Sequence, residues 1–167
     1  MKAIAPLAST HAEASRCLQS VEAAAISIEV GPMQTEDYKP IVDAGAEGLI
    51  VYQETYNRGV YAEMHTAGPK RDFNSRLDCA ERAYAAGFRR LGIGALFGLS
   101  RWQEEAIALA AHLEYLLKRC WQAQITVSLP RLRPAAGGFH PLFSMSDREG
   151  RPIITAATIS LDATNVG

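Results

Sequence analysis

Residues 48–57 read GLIVYQETYN, an apolar run that ends in consecutive polar side chains. The same change recurs in GIGALFGL at residues 92–99 and in SLPRLRP at residues 128–134. In each case a strand that looks buried gives way to glycines or polar residues just before a loop. Parallel α/β barrels carry their chemistry at this point, the carboxyl-terminal mouth of the strands. The three segments, called the QETYN, GIGAL and PRLRP motifs below, therefore indicate a functional rim.

Length and composition indicate one globular domain. The 167 residues are too few for a complete eight-unit barrel, which takes about 250. Hydrophobic residues make up 48% and the net charge is −1, so the chain has no basic excess with which to bind nucleic acid. No stretch approaches the ~20 apolar residues of a membrane span. Because the first residues do not resemble a signal peptide, we expect mature protein at the N-terminus and a cytoplasmic location.

Hydrophobic spacing predicts four helix–strand alternations. The predicted strands cover residues 26–30, 48–52, 90–96 and 124–129. The predicted helices cover residues 14–25, 35–43, 73–86 and 101–120. We expect Thr35 and Ser100 to be N-caps, Pro40 to kink its helix or delay its start, and residues 57–70 to form a long loop. The pattern predicts an α/β fold of about four parallel βα units, whose open sheet edges a partner chain or self-association would cover.

The cysteines and histidines do not predict a metal site. Cys17, Cys79 and Cys120 are odd in number and too widely spaced for a CxxC pair. Each falls on an apolar face of a predicted helix, so we expect three reduced core thiols. The four histidines have no ligand-like spacing either.

The QETYN motif has two interpretations. Glu54 could simply pair with a nearby arginine such as Arg58 or Arg71, and the residues alone slightly favour this. A carboxylate at a strand mouth could equally bind an amino group or a ribose hydroxyl of a ligand.

The other two motifs are also open to a structural and a functional interpretation. Gly92 and Gly94 would let a ligand approach the backbone closely, or would allow a helix to pack tightly on the strand. They match neither a phosphate-binding loop nor the dinucleotide fingerprint. Arg131 and Arg133 suit bidentate recognition of a carboxylate, or would pair with surface acids.

The three motifs together resemble a known family. Their order and spacing, over roughly residues 26–141, are similar to VYQETYN, GxGALxGL and VSxPRxRP with following glycines in the radical S-adenosylmethionine (SAM) tyrosine lyases, above all the 2-iminoacetate synthases of thiamine biosynthesis. The related tyrosine-cleaving maturases of iron-only hydrogenase tend to carry histidine where Asn57 stands. The thiamine enzyme is therefore the nearer likeness.

The resemblance implies a cofactor set and residue roles. The family uses SAM and a 4Fe-4S cluster to cleave L-tyrosine into 2-iminoacetate and p-cresol. The resemblance implies cofactor-binding residues Gln53, Glu54, Tyr56, Gly92, Ile93, Gly94 and Ala95, the last four through the backbone. It implies substrate-binding residues Asn57, Ser128, Arg131 and Arg133. It assigns no catalytic residue, and it suggests a complementary barrel half or thiazole synthase as a partner.

The chain also departs from the family pattern. The cluster motif CxxxCxxC and the glycine–glutamate strand that follows it are absent from the sequence. We therefore expect strands three to six of the barrel within residues 1–145, a divergent tail at 146–167, and a fragment that is inactive alone. The alternatives are a non-catalytic or split-barrel binding module that pairs with a cluster-carrying chain, a fragment of the hydrogenase-maturase type, and a small α/β protein with an unrelated role.

Overall fold

The computed structural model describes residues 3–4, 26–134, 141, 143–146 and 148–149. Its sheet has five parallel strands in chain order: β1 Ala3–Ile4, β2 Ile26–Glu29, β3 Gly48–Ile50, β4 Arg90–Gly94 and β5 Gln124–Ser128. The last four are the predicted strands, each ending one or two residues early, whereas β1 was not predicted. Parallel strands in sequential order are the arrangement of a βα barrel, so the predicted partial barrel is confirmed. The predicted helix at 14–25, Cys17 and nearly all of the predicted tail lie outside the described residues.

The helices are α1 Thr35–Asp43, α2 Arg58–Met64, α3 Phe73–Leu77, α4 Cys79–Ala86 and α5 Trp102–Arg119, with a 3₁₀ turn at Pro69–Arg71. Several predicted details were wrong. α2 occupies the predicted loop because the Asn57 side chain caps it, accepting hydrogen bonds from the N–H groups of Gly59 and Val60, both at 3.1 Å. Gln34, and not Thr35, is the N-cap of α1, and Pro40 lies inside the helix without delaying its start; the alternative of a kink at Pro40 stays a prediction. The helix predicted at 73–86 is broken at Asp78.

The hydrophobic core lies between the helices and one face of the sheet. Alternate strand residues such as Ile28, Leu49 and Leu91 are at most 2% exposed and pack against helix residues such as Ile41 and Leu116. Burying each such side chain stabilises the fold by roughly 1.5–3 kcal/mol. The core also contains Cys79 and Cys120, which are buried free thiols as predicted.

The other face of the sheet is more open. Glu29 and Thr126 on this face are exposed, and Ile50 and Tyr52 are half-buried. In a closed barrel this face would be the interior, so the motifs at the carboxyl ends of β3, β4 and β5 lie at the mouth. In the described part of the chain no helix combines the length and the apolar character that crossing a membrane requires.

Candidate cofactor-binding site at the strand ends

The three motifs lie along one edge of the sheet, as predicted. Beyond the strands, Glu54 pairs with Ala95, and its carbonyl accepts a hydrogen bond from the Leu96 N–H at 2.7 Å. The Phe97 N–H donates to the Pro130 carbonyl at 2.8 Å. These bonds join QETYN to GIGAL and GIGAL to PRLRP, and so form a continuous rim.

Glu54 has an unusual backbone conformation at this rim. Its φ is +72°, and it is the only non-glycine residue with positive φ in the described ranges. A residue with a Cβ in this region costs about 1–2 kcal/mol, and such outliers cluster at functional sites. Its carboxylate lies 3.0 Å from Arg76 Nη2 and 3.6 Å from Lys70 Nζ, and not beside either arginine that sequence proximity suggested.

Arg76 is the main partner of Glu54 and was not predicted from the sequence. The residue is 8% exposed, and its Nε donates to the Tyr52 carbonyl at 2.6 Å while Nη2 donates to Glu54. Its Nη1 is buried and has no hydrogen-bond partner within the described part of the chain. Arg76 therefore fixes the end of β3 through Nε and Nη2.

A cavity of about 100 Å³ lies beside these groups. Its charged lining consists of two carboxylates, Glu29 and Glu54, and two cations, Lys70 and Arg76. Backbone and side chains at the ends of β2 and β3 complete it, including Tyr52. Charges of both signs in a small cavity suit a ligand that carries an ammonium and a carboxylate close together.

Glu105 on α5 supports the rim from the helix side. It is 1% exposed and accepts hydrogen bonds from Thr55 Oγ1 at 2.5 Å, the Tyr56 N–H at 2.8 Å and the Asn57 N–H at 3.4 Å. Glu105 was not predicted as a site residue, although it follows Trp102 by three residues and precedes Leu109 by four. That spacing, which places a charge on the apolar stripe of α5, could have revealed it.

The glycines of β4 are required because side chains and backbone of the neighbouring strands lie close to them. The structural interpretation had expected a tightly packed helix instead. A Cβ on Gly92 would lie 2.9 Å from Ile50 Cγ1. A Cβ on Gly94 would collide with the Ser128 carbonyl oxygen and lie 3.0 Å from Tyr52 Cδ1. The glycines thus allow large side chains of β3 to lie over β4 on the open face.

Gln53 and Tyr56, two predicted cofactor-binding residues, are enclosed by protein. Gln53 is 3% exposed, and within the described residues neither polar atom of its amide has a partner. The Tyr56 hydroxyl lies 2.8 Å from His112 Nδ1. Burial raises the pKa of Tyr56 and lowers that of His112, so a neutral pair is favoured. Tyr56 lines a separate cavity of about 400 Å³ against α5, which shares no lining residue with the cavity at Glu54.

The remaining predicted site residues differ in accessibility. The side chains of Ile93 and Ala95 are buried, so a ligand at the rim could meet only their backbone. Asn57 is exposed, and its Nδ2 donates a hydrogen bond to Ser100 Oγ at 3.3 Å. Ser100 was predicted to be the N-cap of α5, but Arg101 holds that position. Ser128 and Arg131 are half-buried, and Arg133 is exposed. Their substrate roles stay predictions.

The described residues do not fit an iron–sulfur cluster. Among them no group of three or more histidine, cysteine, aspartate or glutamate side chains is placed to hold a metal ion. The Cys79 thiol lies 2.9 Å from the Tyr38 hydroxyl, and burial raises its pKa, which disfavours the thiolate that iron requires.

Comparison with known sequences agrees with the motifs. The chain is 40% identical over 125 residues to the 2-iminoacetate synthases of Salmonella typhimurium and of Escherichia coli. The matched segment covers 74% of this chain and 33% of each relative. No protein-family model matches the chain.

Solved structures show the same relationship. HydG, a maturase of the FeFe-hydrogenase, is 25% identical with a TM-score of 0.81, covering 88% of this chain and 35% of that one. HydG from Carboxydothermus hydrogenoformans is 34% identical with a TM-score of 0.79, covering 90% and 35%. Methylornithine synthase (PylB), at 20% identity and a TM-score of 0.59, covers 84% and 41% and supports the fold alone. The chain is therefore homologous to the 2-iminoacetate synthases and to HydG, and it spans about a third of the length of the curated relatives that it matches.

Proposed function

We propose that this chain supplies the SAM- and tyrosine-binding rim of a 2-iminoacetate synthase. The observation that carries the proposal is that hydrogen bonds join the three motifs into one rim, and that Glu54 of the first motif lines a charged cavity beside that rim. SAM would bind at Glu54 and along the backbone of residues 92–95. L-Tyrosine would bind towards Asn57, Ser128, Arg131 and Arg133.

The charges of the cavity match the amino-acid end of SAM. Glu54 and Glu29 complement an ammonium or a sulfonium, and Lys70 and the Arg76 guanidinium complement a carboxylate. A site for a whole ligand of this size needs about 300 Å³ or more, so the cavity holds only this end. The nucleoside would lie over the open mouth, where Gly92 is partly accessible.

The reaction proposed for the assembled protein is cleavage of L-tyrosine to 2-iminoacetate and p-cresol. Radical chemistry on SAM would need an electron from a reduced cluster, and the described residues hold no site for that cluster. The residues at the rim would bind and orient SAM and tyrosine and shield them from water. Turnover by the isolated chain is therefore not expected.

Titration calorimetry with SAM tests the binding proposal. The wild type should bind SAM, and Glu54→Gln should weaken binding about tenfold or more, since it removes the charge but keeps the shape. Glu36→Gln, which neutralises an exposed carboxylate in the first turn of α1, is the matched control and should bind like the wild type.

A parallel titration with L-tyrosine separates the two amino-acid ligands. Tyrosine binding that depends on Glu54, without SAM binding, would assign the cavity to the substrate. Absence of binding by either ligand would refute the proposal for this chain.

A second candidate is an assembly module that pairs with a cluster-carrying chain. It is favoured by the sheet face that would be the barrel interior, because Ile50 and Tyr52 are only half-buried there while Glu29 and Thr126 are exposed. Co-purification with a CxxxCxxC-carrying chain or with thiazole synthase, followed by light scattering, tests it. Anaerobic reconstitution of such a mixture with iron and sulfide, followed by addition of SAM, L-tyrosine and a one-electron reductant, should then yield p-cresol. A cytoplasmic location is part of this proposal.

A further inference from the structure

Among the described residues, the Glu105 carboxylate forms hydrogen bonds only with the QETYN motif. Its three donors belong to Thr55, Tyr56 and Asn57, the three residues that follow Glu54. Both carboxylate oxygens take part: Oε1 accepts hydrogen bonds from Thr55 and Asn57, and Oε2 accepts one from Tyr56. One side chain therefore fixes the whole segment after Glu54.

The position of Glu105 explains how a carboxylate is tolerated at 1% exposure. It lies in the first turn of α5, where the positive end of the helix dipole favours a negative charge. Its hydrogen bonds replace water, although all three donors are neutral and no basic side chain in the described ranges pairs with it. A leucine here would extend the apolar stripe of α5 without this desolvation cost, so the carboxylate serves the contact with QETYN.

Glu54 is the residue that needs this contact. A left-handed backbone at a residue with a Cβ persists only when its surroundings fix it on both sides. On the preceding side, Arg76 holds the Tyr52 carbonyl. On the following side, Glu105 holds Thr55 and the residues after it.

We infer that Glu105 is a positioning residue that holds Glu54 in its left-handed conformation and thereby aims the Glu54 carboxylate into the cavity. Glu105 itself touches no ligand. The part of the inference that concerns a ligand rests on the proposed function, whereas the part that concerns the backbone does not.

Glu105→Gln tests the inference with the smallest change in shape. The amide nitrogen replaces one acceptor by a donor, so at least one of the N–H groups of QETYN loses its bond and faces another N–H. Glu104→Gln is the matched control, because Glu104 is exposed in the same turn of α5. Two readouts are needed: hydrogen exchange of individual amides without ligand, and the SAM dissociation constant of the folded protein.

We expect the amides of Tyr56, Asn57 and Leu96 to exchange about tenfold faster or more in Glu105→Gln than in the control, while the amides in the middle of α5 keep their protection. We expect the SAM dissociation constant to rise about tenfold. Because affinity is measured on folded protein, a purely stabilising role would leave it unchanged.

Each other outcome overturns part or all of the inference. Exchange equal to that of the control would show that Glu105 does not hold the segment. Faster exchange with unchanged SAM affinity would make Glu105 structural only. If the wild type binds no SAM, the proposed function fails and the ligand part falls with it, while exchange still decides the backbone part.

Conservative variants keep the test valid if Glu105→Gln does not fold. Thr55→Val removes the bond to Glu105 together with the 3.1 Å bond that Oγ1 accepts from the Asn57 N–H, and Thr55→Ser retains both, so the amides of Tyr56 and Leu96 carry this comparison. The valine variant should show the faster exchange and weaker binding, and the serine variant should restore both. Equal behaviour of the two variants would contradict the inference.

Discussion

Replacing Gly94 by alanine should be one of the most damaging small changes in the sheet. Gly94 pairs with Ser128 across β4 and β5, and an added Cβ would collide with the Ser128 carbonyl oxygen. That oxygen belongs to the backbone, so no side-chain rotation relieves the collision and the two strands must separate. Tyr52 Cδ1, 3.0 Å away, closes another direction. We expect a loss of about 3 kcal/mol in the free energy of unfolding, at the upper end of the usual cost of overpacking.

Two other glycines provide the scale for this loss. The three atoms nearest to a Cβ on Gly92 all belong to the Ile50 side chain, whose Cγ atoms can rotate away, so Gly92→Ala should lower the free energy of unfolding by about 1 kcal/mol. A Cβ on Gly31 meets nothing within 4 Å, so Gly31→Ala should be neutral or should stabilise the protein by about 0.4–1 kcal/mol.

Urea unfolding of the three variants with a common m-value gives the comparison. For a chain of this length, 3 kcal/mol corresponds to roughly 6–12 °C in Tm. A Gly94→Ala variant as stable as Gly31→Ala would refute the strand register on which the whole site depends.

Three further predictions concern buried polar groups. Arg76→Met should lower the free energy of unfolding by about 2 kcal/mol, because it removes two hydrogen bonds from the strand end. Arg71→Met, at an exposed position, should leave it unchanged, and equal urea midpoints of the two variants would contradict this. Burial holds the pKa of His112 below its ordinary value of 6.5, so its contribution to stability is complete above that value and falls as pH drops towards the folded-state pKa. His112→Asn, which keeps an acceptor for Tyr56, should therefore reduce the loss of stability on acidification, and an unchanged slope of unfolding free energy against pH would contradict this. Burial raises the pKa of Cys79 and raises that of Cys120 to about 11, so iodoacetamide should label both slowly in native protein and fast in urea; equal labelling by mass spectrometry would contradict it.

The strands and the rim were predictable from local sequence. Each apolar run is bounded by glycine or polar residues, and parallel pairing brings the following residues to one edge. α2 was missed because seven residues that include Gly59 give no clear helical period, and its main signal is the cap at Asn57. Short helices formed around a cap are therefore harder to predict than strands.

The partners of the motif residues were harder to predict because they are distant in sequence. Arg76 follows Glu54 by 22 residues, and Glu105 follows Thr55 by 50. Nearby arginines looked equally suitable for Glu54, since local spacing cannot show which side chain the fold brings close. Glu105 is visible in the sequence as a charged residue within the apolar stripe of α5, but only its hydrogen bonds to QETYN show what it does.

Chemical-shift mapping of SAM on isotope-labelled protein tests the central claim most directly. We expect SAM to shift the amide signals of Glu54 and of residues 92–95, and we expect Glu54→Gln to need about tenfold more SAM for the same shifts. Shifts confined to the separate cavity around Tyr56 and His112, or no shifts at millimolar SAM, would contradict it.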